Sequence, residues 1–226
     1  MRPNFIEKLY RRIHKKLSVP AEREEYSGGY WQRRVREEAI GLCGSLGAGR
    51  LVEIGCGEGL FMIGLAARNP SVLIQGIDNN AARLKMAAGR CAAGNFKNIN
   101  LMLLDAKQLP LPSGQFDTAV SVNVFFNMES LEAVTDVLKE MKRVCKNSGR
   151  IIFDFRNSLN PLLTVKYKLA RYYDSTVKDL PLNTYEPRQI EGVLNDLGLE
   201  ITRKRFIGFP VQKIAPIIVI EAKNRC

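Results

Sequence analysis

The sequence is poor in the groups on which metal, disulfide and acid–base chemistry usually rest. Its 226 residues include one histidine, His14, one tryptophan, Trp31, and five scattered cysteines, Cys43, Cys56, Cys91, Cys145 and Cys226, with no Cys-x-x-Cys pair. Structural metal sites need clustered Cys and His ligands, so no metal is expected. An odd set of dispersed cysteines, with no apolar leader after Met1-Arg2-Pro3-Asn4, fits a reducing compartment in which each is a small buried apolar residue. No apolar run reaches the ~20 residues that cross a bilayer, so a cytoplasmic location is the expectation. Internal repeats and low-complexity segments are lacking too, which speaks against an array or a disordered chain.

What is present is an ordinary globular composition, 46% hydrophobic and 25% charged, with a net charge of +11. A single domain is the default at this length, spanning residues 1–226. The basic excess implies attraction to an anionic partner: nucleic acid, acidic lipid or a phosphorylated substrate. The densest basic pattern is residues 3–17, where Phe5, Ile6, Leu9, Ile13 and Leu17 recur at helical spacing and Lys8, Arg11, Arg12, Lys15 and Lys16 fill the other face. Such a helix either docks on the domain as part of a cap over residues 1–49, or lies on a membrane surface or partner.

The chain is organised around Leu51-Val52-Glu53-Ile54-Gly55-Cys56-Gly57-Glu58-Gly59-Leu60-Phe61. An apolar strand that stops at such a turn and restarts as a helix is expected to leave several N–H groups free at the strand's carboxyl end. Gly55 and Gly57 offer no Cβ to hold a ligand away, while Gly59 lets the helix from Leu60 pack closely. Leu60 stands where the dinucleotide fingerprint Gly-x-Gly-x-x-Gly has its third glycine, so a pyrophosphate is poorly served. Glu53 also repels an anion and suits an ammonium or sulfonium group, which favours a nucleoside ligand without phosphate. A second apolar run, Val72 to Ile77, ends in Asp78, a carboxylate placed to accept hydrogen bonds from ribose hydroxyls.

Strands are expected near 50–54, 72–78, 99–104, 116–122 and 148–155, with helices near 59–69, 79–93 and 130–144. That alternation predicts an α/β fold, a parallel sheet covered on both faces. A helix opening at Tyr30-Trp31 precedes the first strand. Asn147-Ser148-Gly149 reads as the turn before the fifth strand. Beyond Arg156, Leu162 to Tyr173 reads as a helix inserted on the substrate side, another helix follows Pro187, and strands near 199–207 and 215–222 close the sheet.

The ordered set Glu53-x-Gly55-x-Gly57-x-Gly59, Gly76-Ile77-Asp78, Leu104-Asp105-Ala106 and Phe116-Asp117-Thr118-Ala119-Val120 resembles that of class I S-adenosylmethionine-dependent methyltransferases. The resemblance runs from about Arg50 to Phe155. It implies a Rossmann-like, doubly wound sheet of seven strands, mostly parallel with the last antiparallel. Residues 50–155 would then form the cofactor-binding core, and 156–226 the substrate-side helix and closing strands. It also implies that Glu53 faces the methionine amino group of S-adenosylmethionine, and that Gly55, Cys56, Gly57 and Gly59 line the methionine and ribose. Asp78 would accept from the ribose hydroxyls with Asn79 beside the adenine, Asp105 and Ala106 would meet the adenine edge, and Asn123 would approach the methionine part.

Methyl transfer from a sulfonium is an in-line displacement in which orientation does most of the work, so the scarcity of histidine and of nucleophile–base pairs does not oppose it. Enzymes acting on exocyclic base amines commonly carry two prolines and an aromatic after the residue at position 123, whereas Val124-Phe125-Phe126 follows here. The expected acceptor is therefore a small molecule or a lipid- or glycan-linked group, with peripheral contact to an anionic membrane surface. Phe125 and Phe126 line its pocket or pack on the sheet. RNA methylation, favoured by charge alone, and a non-catalytic S-adenosylmethionine-binding partner protein are the alternatives. A nicotinamide oxidoreductase ranks last. If the acceptor is a hydroxyl, His14 and Asp154 are the candidate bases, and neither stands out. Tyr26, Tyr30 and Trp31 are lid residues or core.

Overall fold

The computed structural model describes residues 29–44, 46–173, 181–209 and 212–225. The expected basic helix over 3–17, with His14, Tyr26 and Cys226, lies outside the described residues. In chain order the elements are α1 (Tyr30–Cys43), β1 (Arg50–Ile54), α2 (Leu60–Ala66), β2 (Leu73–Asp78), α3 (Ala81–Ala93), β3 (Ile99–Leu103), β4 (Phe116–Ser121), a 3-10 turn (Phe125–Asn127), α4 (Leu131–Val144), β5 (Cys145–Arg156), α5 (Pro161–Tyr173), α6 (Pro187–Asp196), β6 (Leu199–Ile207) and β7 (Ile217–Asn224).

The strands form one seven-stranded sheet in the order β3-β2-β1-β4-β5-β7-β6. β1 pairs in parallel with β2 on one side and β4 on the other, while β7 runs antiparallel to both β5 and β6. The chain therefore steps outward from β1 to β3 and then reverses direction at β4. In open α/β sheets that reversal opens a crevice at the carboxyl ends of the strands, here between β1 and β4.

Both faces of the sheet are covered. On one, α4 buries Val134, Leu138 and Met141 against β4 and β5, and α6 buries Ile190 and Leu194 beside β6. On the other, α1, α2 and α3 bury Val35, Phe61, Leu65, Leu84 and Ala87. α4 shows why such a segment is helical. Ser130 accepts the Ala133 N–H at the amino end, Glu132 lies in the first turn, Lys142 and Arg143 lie in the last, and Val134, Val137, Leu138 and Met141 form the buried stripe.

The Asn147–Gly149 turn is a correction: it lies within β5. Phe116 pairs with Cys145 and the next pair is Thr118 with Arg150, so the extra residues of β5 bulge out. Gly114 and Gln115 donate to Arg143 O and Val144 O, which starts the pairing earlier than the sequence pattern suggests. A Cβ on Gly149 would lie 2.9 Å from Cys145 Sγ and from Lys146 O. Gly59 packs closely, as expected. Its φ is +83°, and a Cβ there would lie 2.7 Å from Met62 Cε and 3.1 Å from Ala87 Cβ.

Candidate functional site

The turn after β1 differs from expectation in its hydrogen bonding. The N–H groups of Gly55 and Cys56 both donate to Ile77 O at 2.8 Å, and Gly59 N–H donates to Cys56 O. Gly57 N–H donates to Asp78 Oδ2 at 2.7 Å. Three of the turn's amides, those of Gly55, Cys56 and Gly57, are thus bound to the next strand and withdrawn from the cradle a phosphate would need. The turn's geometry also has an internal cause at Gly55. With φ +78°, a Cβ there would meet Val124 Cγ2 at 2.4 Å, so this glycine makes room for the loop after β4. At Gly57, by contrast, a Cβ would meet only Arg83 Cδ, at 4.0 Å, and the backbone is open to the crevice.

The crevice has two lobes that share Gly55, Arg83 and Asn123. The smaller, about 50 Å³, is bounded by Gln32, Arg36, Glu53, Val122 and Phe126. The larger, about 280 Å³, is bounded by Asp78, Asn79, Asp105, Ala106 and Met128. All ten residues anticipated from the sequence therefore belong to the turn, the crevice or its immediate wall. Asp78 is buried at the end of β2 and its Oδ1 accepts the Asn80 N–H at 2.9 Å. Asn79 and Asp105 are exposed at the rim, and Asp105 Oδ1 accepts the Lys107 N–H. Cys56 is buried beneath the turn, where burial raises its thiol pKa, consistent with a small packing residue.

Glu53 carries the least expected feature. It is 2% exposed, and its Oε2 has no hydrogen-bond partner. Burial pushes its carboxyl well above the usual range, and the nearby Asp78 charge pushes it further; a Met62 N–H hydrogen bond and the Arg36 charge pull the other way. A buried carboxylate without its full set of partners is costly unless a cation arrives.

Sequence reasoning missed a network behind this crevice. Asn123 has φ +59°, and its N–H donates to Asp154 Oδ1 at 2.6 Å. Its side chain donates to Gln32 O at 3.1 Å and accepts from Arg156 Nη2 at 3.0 Å. Arg156, 2% exposed, also pairs with Asp154, donates its Nε–H to Tyr167 Oη at 3.2 Å, and stacks 4.4 Å from the Phe126 ring centroid. Asp154, a candidate base from its sequence position, is thus sealed in an ion pair, with burial raising its carboxyl pKa against the pull of Arg156. Phe125 is core, tilted against Phe153 at 5.3 Å, while Phe126 walls the smaller lobe. Arg36 was detectable in principle: it is a charge on the stripe of α1 that also buries Val35, Ala39 and Ile40.

A sheet of this order with β7 reversed, and a glycine turn bonded to the carboxylate that ends the neighbouring strand β2, is the arrangement implied by the sequence's resemblance to class I S-adenosylmethionine-dependent methyltransferases. Residues 51–149 match the family model described as a methyltransferase domain. It is similar to the phosphatidylethanolamine N-methyltransferase of Cereibacter sphaeroides, 28% identical over 69% of this chain and 72% of that one. It is also similar to the ubiquinone/menaquinone biosynthesis C-methyltransferase UbiE of Geotalea daltonii, 30% identical over 46% of this chain; the match spans only 44% of that relative's length. Among solved structures, magnesium protoporphyrin IX methyltransferase from Synechocystis, with bound SAH, shares the fold with a TM-score of 0.71, at 19% identity over 96% of this chain and 93% of that one.

Proposed function

We propose that the chain binds S-adenosylmethionine in the two-lobed crevice and transfers its methyl group to a small-molecule or lipid-linked acceptor. The observation that carries this reading is Glu53: a buried carboxyl oxygen without a partner, beside a turn in which the N–H groups of Gly55, Cys56, Gly57 and Gly59 already have acceptors, fits an ammonium group better than a phosphate. Glu53 would hold the amino group of the methionine part in the smaller lobe, and the Arg36 guanidinium there suits its carboxylate. Asp78 would accept from the ribose hydroxyls through lone pairs left beside its bonds to Gly57 and Asn80. Asn79, Asp105 and Ala106 would border the adenine in the larger lobe. Asn123 would hold the floor between the lobes, since its side chain is already committed to Gln32 and Arg156.

The bound cofactor supplies an activated methyl group on a sulfonium. The protein's part is alignment and the exclusion of water, for which oriented placement is worth ~7–11 kcal/mol. The names of the relatives, acting on phosphatidylethanolamine or in quinone biosynthesis, support an acceptor carried in lipid. Incubation with methyl-labelled S-adenosylmethionine and a total lipid extract tests this. Label is expected in the organic phase, and its absence there, with label entering added RNA instead, would replace the reading.

A further inference from the structure

The carboxyl edge of the sheet carries a second feature, beyond the crevice. β6 runs parallel to β5, because both are antiparallel to β7, and Arg156 and Ile207 pair with the same residue, Ile217. The turn from β6 to β7 therefore lies at the same edge as the start of α5. The two are joined through Asn160, whose side chain donates to Ile214 O at 2.7 Å and to Phe209 O at 3.4 Å while accepting the Leu163 N–H at 2.7 Å.

Around this joint, five large apolar side chains face outward: Leu159, Leu162, Val165, Phe209 and Ile214 are 47, 61, 54, 77 and 43% exposed. α5 buries Leu163 and half-buries Tyr167 on its inner side, while Leu162, Val165 and Lys166 in its first turns are exposed, with nothing among the described residues covering the two apolar ones. Scattered single apolar residues are normal on a surface, but a cluster on two joined elements marks a contact site.

Charge identifies the occupant. Residues 157–173 and 202–217 contain seven Lys or Arg and no Asp or Glu. Of these, Arg203 and Lys204 are paired to Glu221 and Glu191, and Lys213 is exposed within the apolar turn itself. In the sequence, residues 3–17 add five further cations against Glu7. A surface with this excess of cations is attracted to an anionic one.

We propose that the outer side of α5 and the β6–β7 turn dock on an anionic lipid bilayer. Apolar side chains would enter the headgroup boundary, and the cations would meet lipid phosphates. α5 is linked through Tyr167 and Arg156 to Asn123 at the crevice, so docking here would set the crevice mouth toward the membrane. This deepens the lipid-acceptor reading, but it concerns binding and does not require turnover.

The test is flotation of the full chain with vesicles of phosphatidylcholine alone, or with a quarter phosphatidylglycerol. Binding to the anionic vesicles is expected to exceed that to the neutral ones several-fold and to fall with salt. Leu162→Glu with Phe209→Glu should weaken it about tenfold or more, with calorimetric binding of S-adenosylmethionine unchanged as the check of folding. Wild-type flotation in the double variant would overturn the proposal. So would stronger flotation in Leu9→Glu with Ile13→Glu, which would mean that residues 3–17 cover this surface. Failure to bind S-adenosylmethionine in wild type would instead count against the cofactor reading and leave the flotation result standing.

Discussion

The carboxyl edge of the sheet divides into two regions of opposite character. Where β1, β2 and β3 end, the chain presents Glu53, Asp78 and Asp105 to a crevice, with the turn amides bound to neighbouring strands. Where β5 and β6 end, it presents cations and exposed apolar groups, and the carboxylate of Asp154 is sealed beneath Arg156. The first region leaves a buried acidic oxygen unpaired, while the second pairs its acid internally. Binding capacity for a cation therefore lies on the β1–β2 side, and the β5 side is built as a rigid wall that carries an amphipathic surface.

The sharpest way to break the β5 wall is Arg156→Met. It leaves Asp154 buried without its cation, which typically costs ~3–5 kcal/mol. For a chain of this size, that is a fall of roughly 10 °C in melting temperature by calorimetry. Adding Asp154→Asn should recover part of the loss, because the uncompensated charge is gone. On the acidic side, Asp78→Ala removes the acceptor of Gly57 N–H and the acceptor proposed for the ribose hydroxyls, and titration should show S-adenosylmethionine binding about 100-fold weaker.

Glu53→Gln separates binding from stability. Affinity should fall about tenfold, yet the ligand-free variant should melt higher than wild type near neutral pH, since folding no longer has to take up a proton at this position or bury its charge. The pH dependence has a definite sign. Folding raises the Glu53 pKa above its value of 4.5, so the folded state keeps a proton that the unfolded chain releases. Its contribution is fully present below about pH 4.5 and is lost as pH rises through the folded-state pKa. The melting temperature of wild type relative to the variant should decline over that interval. A flat difference would mean that Glu53 has its partner in the free protein.

Tyr167→Phe has the smallest effect, the loss of one hydroxyl partner of Arg156. About 1 kcal/mol, or a fall of about 2–4 °C in melting temperature, is expected with cofactor affinity unchanged.

Most of the fold was legible because it is written in local pattern. Leu51–Ile54, Leu73–Ile77 and Ile151–Phe155 are apolar runs that end at turns, and the α4 stripe has its caps in sequence. The β5 bulge was not legible, because pairing from Gly114 and Gln115 overrides the Asn-Ser-Gly turn signal. Within the crevice, the residue types anticipated after β1, β2, β3 and β4 all border the same space. The hydrogen bonding of the turn was misread because its acceptors, Ile77 O and Asp78, belong to another strand. The Asn123–Arg156–Tyr167 network escaped for the same reason: three elements distant in sequence meet only in the folded sheet.

The most direct measurement is calorimetric titration of the wild-type protein and Glu53→Gln with S-adenosylmethionine. Micromolar binding by wild type, weakened about tenfold in the variant, is the predicted result. Equal binding by the two would show that the orphaned carboxylate does not meet the ligand, and no binding by folded wild type would contradict the assignment of the crevice to this cofactor.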